Sequence, residues 1–116
     1  MNDQKIHPAY GWQWTAGIYD YPNISPLRSL EILVEAAKAM NATIFGEFHT
    51  EIPSEKVAYV VLGESHIFMH DFKTGFALLD MMTCGEMNMQ AGFDYIKQQT
   101  NFTKYKLHRE RWGFDN

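Results

Sequence analysis

The stretch from Val60 to Glu86 constrains this chain more than any other. It reads Val60-Val61-Leu62-Gly63-Glu64-Ser65-His66-Ile67-Phe68-Met69-His70, then a short turn. It resumes as Gly75-Phe76-Ala77-Leu78-Leu79-Asp80-Met81-Met82-Thr83-Cys84-Gly85-Glu86. An apolar run leads straight into Glu-Ser-His, and the chain's single cysteine closes the segment. Side chains in a strand repeat with period two, so His66, Phe68 and His70 share one face while Ser65, Ile67 and Met69 share the other. If the second run folds back as a hairpin arm, Cys84 returns toward the Ser65 end. A hydroxyl, two imidazoles, a carboxylate and a thiol then crowd one end of a hairpin.

A chain of 116 residues has room for one core and little more. With 46% hydrophobic and 15% aromatic residues, a packed domain is expected rather than disorder. The formal net charge of -4 argues against nucleic acid or an anionic membrane as the main partner, since both need clustered positive charge. One cysteine cannot form an internal disulfide, which suits a reducing, cytoplasmic setting. Met1 to Lys5 is polar and lacks the apolar core of a signal peptide, and no apolar run approaches membrane-spanning length.

Taken in order, residues 1–11 read as a flexible N-terminal tail and residues 12–116 as one domain. Trp12 to Tyr21 alternates aromatic with small or polar residues, as a first strand would. Ser25 caps a helix with Pro26 in its first turn, where a missing N–H is harmless. Leu27, Leu30, Leu33, Ala37 and Met40 give that helix one apolar face, and Asn41 lies just past its end. Thr43 to His49 is a second strand, Thr50 to Lys56 a loop, and Val57 to Leu62 a third, central strand, apolar on both faces. The hairpin from Glu64 to Thr83 turns at Asp71 to Gly75. Asn88 caps a second helix, which Gly92 weakens. Thr103 to Arg111 alternates as a last strand. The order reads β-α-β-β-β-α-β. The fold class is α+β, a two-layer sandwich with a largely antiparallel sheet and two helices on one face. The other face is partly apolar and most simply finds a second copy of the chain.

Taken singly, the central residues have ordinary readings. Ser65 can be a strand serine with a satisfied hydroxyl. Cys84 can be a small core residue. His66 and His70 can be hydrogen-bonded structural residues. Zinc bound by His49, His66, His70 and Cys84 would lack any compact Cys-x-x-Cys or His-Glu-x-x-His spacing, so no metal is expected. The lysines and arginines of the last strand suit a protected sheet edge better than a phosphate site.

Together, the residues carry more. Gly63-Glu64-Ser65-His66, the His four positions further on, and Thr83-Cys84-Gly85 after a Gly75-aromatic-Ala77 start resemble the small bacterial and archaeal S-adenosylmethionine decarboxylases. Asn41-Ala42-Thr43-Ile44, Phe48-His49 and Pro53 fall at family-like distances before them. The resemblance implies that the Ser65 hydroxyl attacks the carbonyl carbon of Glu64, and that the chain is cut between Glu64 and Ser65. Ser65 would become a pyruvoyl group, the cofactor that forms a Schiff base with the substrate amine and accepts electrons as CO2 leaves. It implies His70 as the residue that assists processing and Cys84 as the proton donor in turnover. It implies a homodimer paired sheet to sheet and a place in polyamine (spermidine) synthesis.

Three departures bear on the substrate. Val57 stands where the family has a serine that helps processing. Glu51 stands where an adenine-stacking Phe is expected. His70 is followed by Asp71-Phe72-Lys73-Thr74, without the family's ribose-binding Glu. Phe48 or Phe72 could take over the stacking, with Phe48, Glu51 and His66 as candidate substrate-binding positions. S-adenosylmethionine is the default substrate. The alternatives are the same chemistry on ornithine or arginine, whose cationic tails Glu51 would suit, or an uncleaved family member acting as a binding or regulatory subunit.

Overall fold

The computed structural model describes residues 9–114. β1 (Tyr10–Ile18) is followed by α1 (Pro26–Ala39), β2 (Ile44–Ile52), β3 (Glu55–Leu62), β4 (Ser65–Asp71), β5 (Ala77–Cys84), α2 (Met89–Thr100) and β6 (Tyr105–Gly113). That is one strand more than the order expected from sequence, because both arms of the Glu64–Thr83 hairpin are full strands. The six strands form a single sheet in the order β2-β3-β4-β5-β1-β6, and every neighbouring pair is antiparallel.

Local chemistry sets the helix ends. The Ser25 hydroxyl accepts from the Arg28 N–H at 3.0 Å, and Pro26 occupies the first turn. Asn41, just beyond α1, takes a left-handed φ of 63° that asparagine tolerates. Asn88 caps α2 by accepting from the Ala91 N–H, and Asn101 ends it in the same left-handed conformation.

Some boundaries differ from the sequence expectation. β1 begins at Tyr10, so Tyr10 and Gly11 belong to the sheet rather than to the tail, whose residues 1–8 lie outside the described residues. The expected loop from Thr50 to Lys56 is a tight hairpin turn at Pro53-Ser54, because Thr50 to Ile52 and Glu55-Lys56 continue the ladder. β3 is an interior strand next to the edge, and β4 and β5 occupy the middle of the sheet. Gly92 is a packing device: a Cβ there would run into the side chain of Met40.

Both helices cover the same face. Ala16, Ile18, Ala58, Val60, Leu62, Ile67, Met69, Leu79 and Met81 point into it, together with Leu33, Ala36, Phe93 and Ile96 from the helices. The other face carries alternate residues of the same strands, among them Tyr59, Val61, His66, Phe68, His70, Leu78, Asp80 and Met82. Among the described residues no layer covers that face, and the site lies at one end of it. Among the described residues, no helix is long and apolar enough to cross a membrane.

Candidate active site at the β3–β4 turn

Leu62 pairs with Ser65, so Gly63 and Glu64 form a two-residue hairpin turn and the Glu64–Ser65 peptide bond lies where that turn enters β4. Three contacts hold the turn. The Gly63 N–H donates to the Thr43 carbonyl at 2.8 Å, and the Thr43 N–H donates to the Glu64 carboxylate at 3.0 Å. The Cys84 N–H donates to the Glu64 carbonyl oxygen at 2.8 Å. Ser65 carries φ of 156°, a conformation sparsely populated by residues with a Cβ. The strained backbone is thus at the serine itself, and the carbonyl before it already accepts a hydrogen bond.

The hairpin returns Cys84 to this end of the sheet. Ser65 pairs with Thr83, and the half-buried Cys84 follows it, opposite Gly11 of β1. The juxtaposition of serine, carboxyl and thiol expected from sequence is present.

Beside them stands a relay that the sequence reading did not contain. Ser65 Oγ lies 3.3 Å from His66 Nδ1, and His66 Nε2 lies 2.7 Å from Asp80 Oδ2. Gln13 Nε2 and Thr15 Oγ1 of β1 each donate to Asp80 Oδ1 at 3.0 Å. Burial pushes the Asp80 carboxyl up, but the hydrogen bonds from His66, Gln13 and Thr15 outweigh it and hold its pKa below the ordinary value. Aromatic rings flank the imidazole, Tyr59 at 5.8 Å and Phe68 at 5.4 Å between centroids. The signal for Asp80 was present in the sequence. It is the lone carboxylate in an apolar strand, and alternation puts it on the face of Met82 and Cys84. Gln13 and Thr15 became recognisable only once β1 was known to pair with β5.

His70 lies elsewhere. It shares the face of His66 but sits five residues along β4 from Ser65, roughly 16 Å at strand spacing. Its Nδ1 is 2.6 Å from Glu55 Oε1, and it pairs with Val57, the position of the missing helper serine. The two positions that the resemblance ties to processing therefore face each other, remote from their own chain's Ser65.

The candidate substrate positions are also dispersed. Phe48 is exposed on edge strand β2, paired with Tyr59. The Glu51 carboxylate is bound by Lys73 Nζ at 2.8 Å, which holds it below the ordinary carboxylate range. It lines a cleft of about 440 Å³ with Lys56 and Asp71, at the His70 end of the sheet. Phe72 stacks on Phe76, with 5.9 Å between centroids. A cavity of about 480 Å³ lined by Trp12, Trp14, Glu86 and Arg109 shares none of the relay residues. Among the described residues, no three His, Cys, Asp or Glu side chains converge as a metal site.

These features define a class: a two-layer α+β protein whose sheet gathers a serine, a His–Asp pair and a cysteine around one tight turn. Residues 25–111, well over half of the chain, match the family model described as S-adenosylmethionine decarboxylase, and the chain belongs to that family. It is similar to the S-adenosylmethionine decarboxylase proenzyme of Thermodesulfovibrio yellowstonii, at 42% identity over 77 residues, 60% of this chain and 57% of that one. Against the proenzyme of Symbiobacterium thermophilum the identity is 37% over 70 residues, 58% of this chain and 53% of that one. The chain thus spans just over half the length of these relatives. The crystal structure of the adenosylmethionine decarboxylase from Aquifex aeolicus superposes with a TM-score of 0.75 at 25% identity, covering 94% of this chain and 95% of that one.

Proposed function

We propose that this chain is a proenzyme that cuts itself between Glu64 and Ser65 and then decarboxylates S-adenosylmethionine, supplying polyamine synthesis. The observation that carries the reading is the state of that one peptide bond. Its carbonyl receives the Cys84 N–H and its serine is strained at φ of 156°. Attack by the Ser65 hydroxyl on the Glu64 carbonyl carbon places negative charge on an oxygen that already has a fixed donor.

The surroundings of position 65 suit a pyruvoyl group, because cleavage would leave it at the start of β4 beside a half-buried thiol. Such a ketone supplies an electron sink for loss of CO2 from an α-amino acid. Cys84, one step beyond the partner of Ser65 in the ladder, is the chain's candidate to return a proton to the substrate carbon.

His70 belongs to this reading through a second copy. A two-fold axis lying parallel to the open face and across β4 near Phe68 would set a second sheet over the first and exchange the two ends of β4, because a residue on one side of such an axis meets its counterpart from the other side. His70 of each protomer would then approach Ser65 of its partner. The half-exposed apolar residues of that face support such a homodimer.

S-adenosylmethionine is favoured over ornithine or arginine because the Glu51 carboxylate, the group that would attract a cationic tail, is already neutralised by Lys73. Two measurements test the proposal. Intact mass of purified protein should show two fragments divided at Glu64–Ser65. A single full-length mass after long incubation would instead support a non-catalytic binding subunit. CO2 release from carboxyl-labelled S-adenosylmethionine, ornithine and arginine should then favour the first. Preference for either amino acid would overturn the substrate.

A further inference from the structure

We propose that His66, oriented by Asp80, is the general base that takes the Ser65 hydroxyl proton when the chain cuts itself, an assignment that rests on the self-cleavage reading above. The hydrogen-bond pattern fixes the tautomer. An ionised Asp80 can only accept, so the 2.7 Å contact places the imidazole proton on Nε2. Neutral imidazole has one N–H, which leaves Nδ1 as a lone pair 3.3 Å from Ser65 Oγ. Gln13 and Thr15 hold the other carboxylate oxygen from β1, so Asp80 cannot swing away without losing both. This is the logic of a nucleophile, a base and an orienting carboxylate, built across three adjacent strands.

The groups facing His66 permit the role. β5 presents Asp80 and, at its end, Cys84, while β3 presents Tyr59. The Glu64 carboxylate is turned away onto the Thr43 N–H. β1 contributes only the neutral Gln13 and Thr15. No cation lies among these, so Asp80 is free to stabilise the imidazolium that forms.

The proton passes from Ser65 Oγ to His66 Nδ1 as Oγ bonds to the Glu64 carbonyl carbon. The carbonyl electron pair moves onto the oxygen held by the Cys84 N–H. The intermediate collapses with rupture of the C–N bond, and the proton on Nδ1 passes to the departing nitrogen. The product is an ester between Glu64 and the Ser65 side chain. Transfer of the Ser65 Cα proton to solvent water then forms the Cα–Cβ double bond, breaks the Cβ–Oγ bond and releases the Glu64 carboxylate. Water hydrolyses the remaining enamine to the ketone and ammonia.

The test follows freshly translated full-length chain by intact mass, with thermal melting to verify folding. His66→Ala should slow cleavage about 10²-fold or more, and added imidazole should restore part of the rate. His66→Gln, which keeps a polar group against Asp80, should be equally slow. Asp80→Asn should slow cleavage, and Asp80→Glu, which keeps a carboxylate acceptor, should recover part of the rate. Hydroxylamine should trap the ester as a Glu64 hydroxamate in wild type and not in His66→Ala. Cleavage of both folded His66 variants within about twofold of wild type, or of folded Asp80→Asn within the same margin, would overturn the assignment. A wild-type chain that stays whole would overturn the self-cleavage reading itself, and with it the role for His66.

Discussion

The main-chain N–H of Cys84 donates to the carbonyl oxygen of Glu64 across the β4–β5 ladder at 2.8 Å. In the proposed reaction one residue therefore has two separable roles, its backbone N–H as donor to the carbonyl under attack and its thiol as proton donor in turnover. Mutation separates them, because a side-chain substitution leaves the N–H in place. Cys84→Ala should still yield both fragments, while its turnover falls about 10²- to 10⁴-fold, the range for a lost proton-transfer group. Intact mass and CO2 release read the two effects independently. A cleaved Cys84→Ala protein with full turnover would exclude the thiol as proton donor.

A second expectation concerns His70. If it serves its partner's Ser65, His70→Ala alone should process slowly. Co-expression with Ser65→Ala should rescue cleavage of the His70→Ala chain, since each mixed dimer rebuilds one complete site. Differential tagging and mass spectrometry identify which chain is cut. Wild-type processing by His70→Ala, or a strict monomer at micromolar concentration, would remove the residue and the dimer from the reading.

Asp80 should make stability depend on acidity. Its folded pKa lies below the ordinary aspartate value of 3.8. Its contribution is therefore fully present above that unfolded value and is lost as pH falls through the lower folded one. The comparison is made in a Ser65→Ala background, which prevents cleavage. There the stability lost on Asp80→Asn should shrink as the pH falls below about 4. Urea titrations at several pH values measure it. A loss that persists undiminished well below that pH would contradict the relay geometry.

Gly92 gives a packing test. On helix propensity alone, Gly92→Ala should stabilise α2 by roughly 1 kcal/mol. The added Cβ meets Met40, the C-cap of α1, and Met81 of β5, so one of them must move. Overpacking of this kind costs about 1–3 kcal/mol, and the variant should melt at a lower temperature than wild type. A higher melting temperature would mean that Met40 repacks freely.

Much of this protein was readable before any coordinates, for identifiable reasons. Ser25, Pro26 and Asn88 mark helix starts through local hydrogen bonding, and the alternation from Ser65 to His70 assigns faces without knowledge of neighbours. The return of Cys84 to Ser65 followed from hairpin geometry alone. What escaped depends on contacts distant in sequence. The insertion of β1 between β5 and β6 supplies Gln13 and Thr15 to Asp80, and nothing near residue 13 announces it. The clamp on Glu51 likewise needs Lys73, which a turn 22 positions away brings across the sheet end. The packing role of Gly92 was not legible because propensity is a local quantity, whereas the packing of α2 against Met40 is not.

The place of β1 has a mechanical consequence for a chain cut after Glu64. The first fragment would hold β1, α1, β2 and β3, and the second β4, β5, α2 and β6. In the sheet β1 is sewn between β5 and β6, while β3 lies against β4. The two pieces would be interlocked like the fingers of clasped hands, with three seams to open before either could leave. The nick would give up chain continuity without giving up the domain. It would also turn unfolding from a one-body into a two-body event, so that the melting of the mature protein rises with its own concentration.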